Sequence, residues 1–390
     1  MNIRDYFSPC KIETINFPFI PFDESLKSQV TFFCGEENFD LASFNLAIIG
    51  VDEDRNSPVN SGSGLAPNAV RPHLNSLRLI EPEVKIVDLG NILGNTVNDK
   101  YYALEEALMY LTSLNIVSIV IGGTNEFVKT QIQAIGSVAK ETRLKCSLVD
   151  SLVDVNCVAD GITSLNYLTE ILELPLIQTD LTLLGIQKYY LSKHQEFFLE
   201  NNFVDSYRLR DIRGADISLA ETPFRDSSVI GFDVSSILSA SMPGFYFSRP
   251  NGFTALEACQ LGWYAGVSTE IKSFGIYELN PIFDRNGDGC ALTAQIIWHF
   301  ILGYSNKSKQ FSLKDVISFQ KFDVYLESYD VSLNFYSSSD SQRWWMNVVD
   351  DKNVFIVSCD KSDYYMALQG EMPKKWWRYY QRNNKVENNN

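Results

Sequence analysis

One unit recurs through the middle of this chain and restricts its fold more than any other feature. Between residues 45 and 303, a short apolar, β-branched run is followed by a turn and usually a helical stretch. The runs are Asn45–Gly50, Lys85–Gly90, Val117–Gly122, Lys145–Asp150, Leu181–Gln187, Asp205–Arg210, Val229–Val234 and Ser273–Leu279. Most are apolar at every position rather than at alternate ones, as strands covered by helices on both faces should be. The clearest helical patterns are Tyr101–Leu114, Glu126–Lys140, Phe253–Gly266 and Cys290–Gly303. Eight such strands with intervening helices predict one α/β domain built on a mainly parallel sheet. The run Asp205–Arg210 is mostly polar and suits a sheet edge. No fixed sequence period accompanies the pattern.

The grammar changes after about residue 310. Phe319–Glu327, Val331–Ser337, Trp344–Val349 and Val354–Cys359 read as strands joined by turns, followed by a short helical stretch over Ser362–Leu368. The expected organisation is therefore an α/β domain over residues 1–310, with 1–44 as an N-terminal extension packed on it. Residues 311–390 form a small β-rich module with a disordered tail. Within that module, Lys374–Arg382 (KKWWRYYQR) is a basic, aromatic-rich run in an otherwise acidic protein. Exposed, it would mark a protein-partner site, because Trp, Tyr and Arg dominate interface hot spots. Packed, its aromatics would face the module's own sheet while Lys and Arg stay solvated.

Composition removes several function classes. Thirty-three Lys and Arg against 48 Asp and Glu leave a net charge of −15, which argues against nucleic acid or an anionic membrane as a partner. There are three histidines, His73, His194 and His299, so an imidazole-rich metal site is nearly excluded. The seven cysteines are scattered without a C-x-x-C pair, the pattern of reduced thiols in a cytoplasmic protein. No secretion signal or membrane-spanning run is expected. No Ser-His-Asp or Cys-His set is suggested either, and His73 and His299 read as structural.

The chemistry-bearing side chains gather at predicted strand ends, where ligands bind in parallel α/β sheets. The fourth strand ends in Asp150, with Asp154 four residues on; the seventh ends in Asp233; the eighth ends in Glu278, before Asn280 and Pro281. The third ends in Gly122-Gly123-Thr124-Asn125-Glu126, whose glycines allow a tight turn. Three aspartates from two strands form an all-oxygen cation site suited to Mg²⁺, Mn²⁺ or Ca²⁺. The same aspartates would serve equally as helix caps. The loop over residues 56–64 (NSPVNSGSG) reads as a flexible cover over the strand ends; its glycines and serines suit an anion, but it lacks the lysine and spacing of a P-loop.

Taken in order, these segments resemble the ureohydrolase family of arginase, agmatinase and formimidoylglutamase over residues 45–305, and the formimidoylglutamase-like branch most of all. The resemblance is carried by Gly64–Arg71, Gly122-Gly123-Thr124-Asn125, Asp150–Asp154 and Gly231–Ser235. Pro243-Gly244, Gly252-Phe253 with Glu257, and Tyr277–Pro281 extend it. It implies a three-layer α/β/α sandwich with an eight-stranded, mainly parallel sheet. It also implies a homo-oligomer.

Active members resembling this chain hold two Mn²⁺ with two histidines and four aspartates, and the ions activate a hydroxide that attacks an amidine or guanidine carbon. Asp150, Asp154 and Asp233 match three of those ligands. Asn125 and Leu152 stand in place of the histidines, and Ser235 in place of the last aspartate. One metal position is left with Asn125 and three aspartates; the other, which needs the residues replaced by Leu152 and Ser235, should be empty. Glu278 matches the glutamate that pairs with the substrate's amidine or guanidine group, or else is retained as an architectural acid under the Asn-Pro turn. The expectation is a family member with a dismantled manganese centre, holding no cofactor or one weakly bound divalent cation, and serving in binding, scaffolding or regulation. The alternatives are a metal-dependent hydrolase of formimidoylglutamate or a related amidine, and a sensor of a guanidino or amidino metabolite. A protein partner of the C-terminal module is a further expectation.

Overall fold

The computed structural model describes residues 3–15, 20–35, 40–139, 143–155, 161–175, 177–307, 319–339, 342–349 and 354–387. Its strands are β1 (Phe7–Ser8), β2 (Val30–Phe32), β3 (Leu46–Gly50), β4 (Ile86–Ile92), β5 (Val117–Ile121), β6 (Arg143–Val149), β7 (Gln178–Ile186), β8 (Asp205–Arg208), β9 (Val229–Asp233) and β10 (Ser273–Tyr277) in one sheet. A second sheet holds β11 (Gln320–Leu326), β12 (Val331–Ser337), β13 (Trp344–Val349) and β14 (Val354–Cys359).

All eight runs of the repeating unit become β3 to β10, in the order β4-β3-β5-β10-β9-β6-β7-β8, and every pair in that order is parallel. The sheet is larger than the expected eight strands. The N-terminal extension adds β1, antiparallel to the end of β4, and β2, parallel to its start. These segments are too short to announce themselves by periodicity, and they cover what would be an open edge. The polar run does lie at the opposite edge, as β8.

The strands are apolar throughout because each face feeds a separate core. On one face, Ile48, Ile119, Ile230, Phe232 and Phe274 pack against helices 66–75, 255–267 and 288–305. On the other, Ile49, Val120, Leu148 and Leu183 pack against helices 97–113, 127–139 and 167–172. This is the three-layer sandwich. Among the described residues no helix is long and apolar enough to cross a membrane.

The second sheet is an antiparallel meander. Two helices follow it, Lys361–Leu368 and Lys374–Glu387. The basic aromatic run is thus the start of a helix, with Trp376 and Tyr379 buried in the module's core and Trp377 exposed. Lys374 is exposed, but the other three cations are not left in solvent as expected. Lys375 donates to the Ser358 carbonyl at 2.6 Å, Arg378 pairs with Asp205 at 2.6 Å, and Arg382 pairs with Asp180 at 2.7 Å. Asp180 and Asp205 lie toward the amino ends of β7 and β8, so the module is docked on the edge of the main sheet away from the strand ends that gather the acids. The expected tail beyond residue 387 lies outside the described residues.

Candidate functional site

Strand order explains how residues far apart in sequence become neighbours. β5, β10, β9 and β6 lie side by side in the middle of the sheet, all parallel, so their carboxyl ends open on one place. Those ends carry Asn125, Glu278, Asp233 and Asp150, and the turn after Asp150 brings in Asp154. All five are buried.

Each is fixed by its own backbone surroundings. Asp233 accepts from the Ser235 amide at 2.7 Å, and Asp150 from the Leu152 amide at 2.9 Å. Capping and pocket roles therefore coexist, since one oxygen of each carboxyl is spent on the local turn. The second oxygen of Asp233 accepts from the Asn125 side-chain NH₂ at 3.3 Å, and that NH₂ also reaches Asp154 at 3.5 Å. The second oxygen of Asp150 has no donor, and neither does the buried Asn125 Oδ1 find one of its own to accept from. Gly123 is required by close approach rather than by a turn conformation: a Cβ there would lie 1.9 Å from the Glu53 carbonyl oxygen.

Glu278 sits at φ +69°, a left-handed conformation that costs a non-glycine residue energy and persists only when its surroundings fix it. They do. Its backbone N–H donates to the Gly123 carbonyl at 2.8 Å, and its carboxyl accepts from the Asn125 amide at 3.1 Å and from the Asn60 side chain at 2.8 Å. Asn60 belongs to the 56–64 loop. That loop does cover the strand ends, but it is tied down: Asn280 donates to Asn60 Oδ1 at 3.0 Å, and Asp54 accepts from the Gly62 and Gly64 amides at 2.6 and 3.1 Å. Both Glu278 oxygens are thus already engaged by the chain.

Gathering buried acids makes each harder to ionise. Asp150 is pushed up to about 7 by burial and then by the charge of Asp233. Burial, reinforced by the neighbouring carboxylates, holds Asp154 and Glu278 well above the usual carboxylate range. Burial raises Asp233 as well, although the Arg249 charge opposes it. Glu126, buried in the same turn as Asn125, is pushed up to about 7 by burial.

Three residues of the site escaped sequence reasoning. Arg249 is buried and donates to Ser235 Oγ at 2.6 Å, the Ser235 carbonyl at 2.8 Å and Ser151 Oγ at 2.6 Å, with its guanidinium 4.8 Å from the Phe245 ring. Asn60 is the second. The third is His194, which lines a cavity of about 440 Å³ together with Asp154, Ser192 and Gln195. Asn60 and Arg249 lie in loops and His194 in the first turn of helix Lys193–Asn201, and nothing but their polarity marked them in the sequence. Glu257, part of the resemblance, closes a capping box with Thr254 at the start of helix 255–267. His299 donates its Nδ1–H within its own helix, to the Gln295 carbonyl at 2.8 Å.

Known proteins share this architecture. A formiminoglutamase from Trypanosoma cruzi, solved with two Mn²⁺, superposes with a TM-score of 0.65 at 21% identity, covering 70% of this chain and 97% of that one. A formimidoylglutamase from Bacillus subtilis gives 0.64 at 19% identity over 76% and 97%. An agmatine ureohydrolase from Thermoplasma volcanium gives 0.59 at 20% identity over 70% and 93%. At such identities the likeness is one of fold. No curated protein matches the chain in sequence. The model of the Arginase family, however, matches residues 44–303, the span that builds strands β3 to β10 and every residue of the pocket, and this chain therefore belongs to the arginase family.

Proposed function

We propose that this chain is a non-hydrolytic member of its family, whose pocket serves binding or regulation rather than turnover. The observation that carries this reading is what stands around the three aspartates. Leu152 brings only its backbone amide to Asp150, and Asn125 turns hydrogen-bond donors, not lone pairs, toward Asp154 and Asp233. Where a two-ion centre needs donors of electron pairs, the chain supplies protons.

The residues do not fit two manganese ions. Leucine cannot coordinate, and the hydroxyl of Ser235 is engaged by Arg249. The unmatched oxygens of Asp150 and Asn125 leave donors for at most one weakly held divalent cation of the Mn²⁺, Mg²⁺ or Ca²⁺ class, with Asp154 and Asp233 completing it.

The competing reading is a metal-dependent hydrolase of formimidoylglutamate or a related amidine. One observation favours it. The formiminoglutamase of Trypanosoma cruzi, whose fold this chain shares, was solved with two Mn²⁺. The weight of the proposal rests on Leu152, which has no lone pair to offer, and on Ser235, whose hydroxyl is engaged by Arg249.

The deciding experiment is release of urea, ammonia or formamide from arginine, agmatine, guanidinobutyrate and formimidoylglutamate in excess Mn²⁺. No metal-dependent release is expected. Saturable release that disappears in Asp233→Ala would establish the hydrolase instead.

A further inference from the structure

Arg249 places a cation beside the acids of the pocket. It is buried, and the one arm of its guanidinium with hydrogen-bond partners reaches three oxygens of two residues, Ser151 and Ser235. Those residues adjoin the acids: Ser151 follows Asp150, and Ser235 lies two beyond Asp233. Its charge favours the ionised forms of both Asp150 and Asp233. The Phe245 ring beneath the guanidinium, 4.8 Å away, adds a face that prefers a cation to a neutral group. Arginine suits such a place because its fork is always charged and is less strongly hydrated than an ammonium.

We propose that Arg249 is the resident cation of this pocket: its guanidinium, anchored on Ser151 and Ser235, takes the side of the acid cluster where a second divalent ion would otherwise bind. This deepens the non-hydrolytic reading and rests on it for the family comparison, but it makes a separate claim. The loss of ligands at Leu152 and Ser235 is then not the only barrier to a second ion. A fixed positive charge would repel one even if the ligands were restored, because two cations a few ångströms apart in a buried site are strongly unfavourable.

The test restores the ligands with and without the arginine. Leu152→His with Ser235→Asp is compared with the same pair carrying Arg249→Met, each loaded with Mn²⁺, desalted and assayed for metal per chain by elemental analysis. The first protein should hold no more metal than the unmodified chain; the second should gain about one ion per chain, as expected for a site freed of its competing charge. Arg249→Lys in the restored background keeps the charge and should again refuse the ion. Should the Met variant not fold, as judged by near-UV circular dichroism, Arg249→Gln keeps a donor for the two serines and takes its place. A second ion in the ligand-restored protein with Arg249 present, or in its Lys variant, overturns the proposal, as does a folded neutral variant that gains none. The two claims fail apart. Two ions in the unmodified chain without hydrolysis would end the Arg249 proposal alone, and hydrolysis with one ion would end the non-hydrolytic reading alone.

Discussion

At the amino end of the parallel sheet, Asp180 pairs with Arg382 at 2.7 Å and Asp205 with Arg378 at 2.6 Å. Asp226, in the loop before β9, pairs with Lys145 at 3.3 Å and accepts from the Ser358 amide and hydroxyl, each at 2.8 Å. At the carboxyl end, Asp150, Asp154, Asp233 and Glu278 accept hydrogen bonds from neutral amides and repel one another, with Arg249 as the nearby cation. Burial pushes Asp226 up, yet Lys145 and Lys375 more than offset it and hold the group below its ordinary range. The four upper acids are driven the other way. Buried charge that is paired one for one is architecture, and here it is how the C-terminal module is fastened. Buried charge left in surplus costs stability, and a chain keeps it where something is to be bound.

The contrast is broken most severely by removing the module's last helix. Ending the chain at Met372 deletes Trp376 and Tyr379 from the module's core and leaves Asp180, Asp205 and the Ser358 carbonyl without their cations. The expected outcome is loss of cooperative folding, read as an early, broad urea transition. An equally stable, monodisperse product would mean the helix is an ornament rather than a fastener. Arg382→Met is the milder version, since Arg143 remains 3.7 Å from Asp180. Breaking a buried pair from one side should cost about 3 kcal/mol in urea melts, and adding Asp180→Asn should recover most of it. If the double variant is no better than the single, packing and not charge holds the module on.

Much of this was legible in the sequence, for physical reasons that also mark where legibility stops. A strand buried on both faces must be apolar at nearly every position, so β3 to β7, β9 and β10 could be read from composition over five or six residues, and the polar β8 only as an edge. The strand-end acids could be placed because parallel order puts all carboxyl ends on one edge. β1 and β2 could not be seen, because two or three residues carry no period. The contacts of Lys375, Arg378 and Arg382 were misjudged because a run of Lys and Arg in an acidic chain looks solvated until the surface it meets is known. Arg249 was invisible for a related reason. Its meaning lies in Ser151 and Ser235, and one of those is 98 residues distant.

Acid titration should separate the two ends by sign. For the upper acids the folded pKa lies above the unfolded one, so between about pH 4 and 7 the folded state holds more protons, and stability falls as pH rises, by about 1.4 kcal/mol per pH unit for each extra proton held. For Asp226 the folded pKa lies below the unfolded one; its contribution is complete above about pH 4 and is lost as pH falls further. In chelated buffer, the metal-free protein should therefore be more stable near pH 5 than near pH 8. Urea midpoints across that range decide it, and a midpoint that rises steadily toward pH 8 would show that the upper acids are not strained.

The smallest effect is the sharpest discriminator. Asp154→Asn keeps the size and one carbonyl acceptor of the side chain while removing a charge that burial and three neighbouring carboxylates oppose. Replacing a buried polar group usually destabilises. Here the sign should reverse: a gain of about 1 kcal/mol in metal-free buffer at pH 8, shrinking toward nothing as pH drops below about 3, where an aspartate would be neutral in both states. Asn125 donates its NH₂ to that carboxyl at 3.5 Å, and the amide oxygen of the new side chain can accept the same bond. Divalent cation should erase the gain, because an ion stabilises the folded chain only through ligands it binds better as carboxylate than as amide. A variant that is less stable than the parent in chelated buffer at pH 8 would place Asp154 among the paired, architectural acids, and the distinction between the two ends of the sheet would then rest on Asp150 and Asp233 alone.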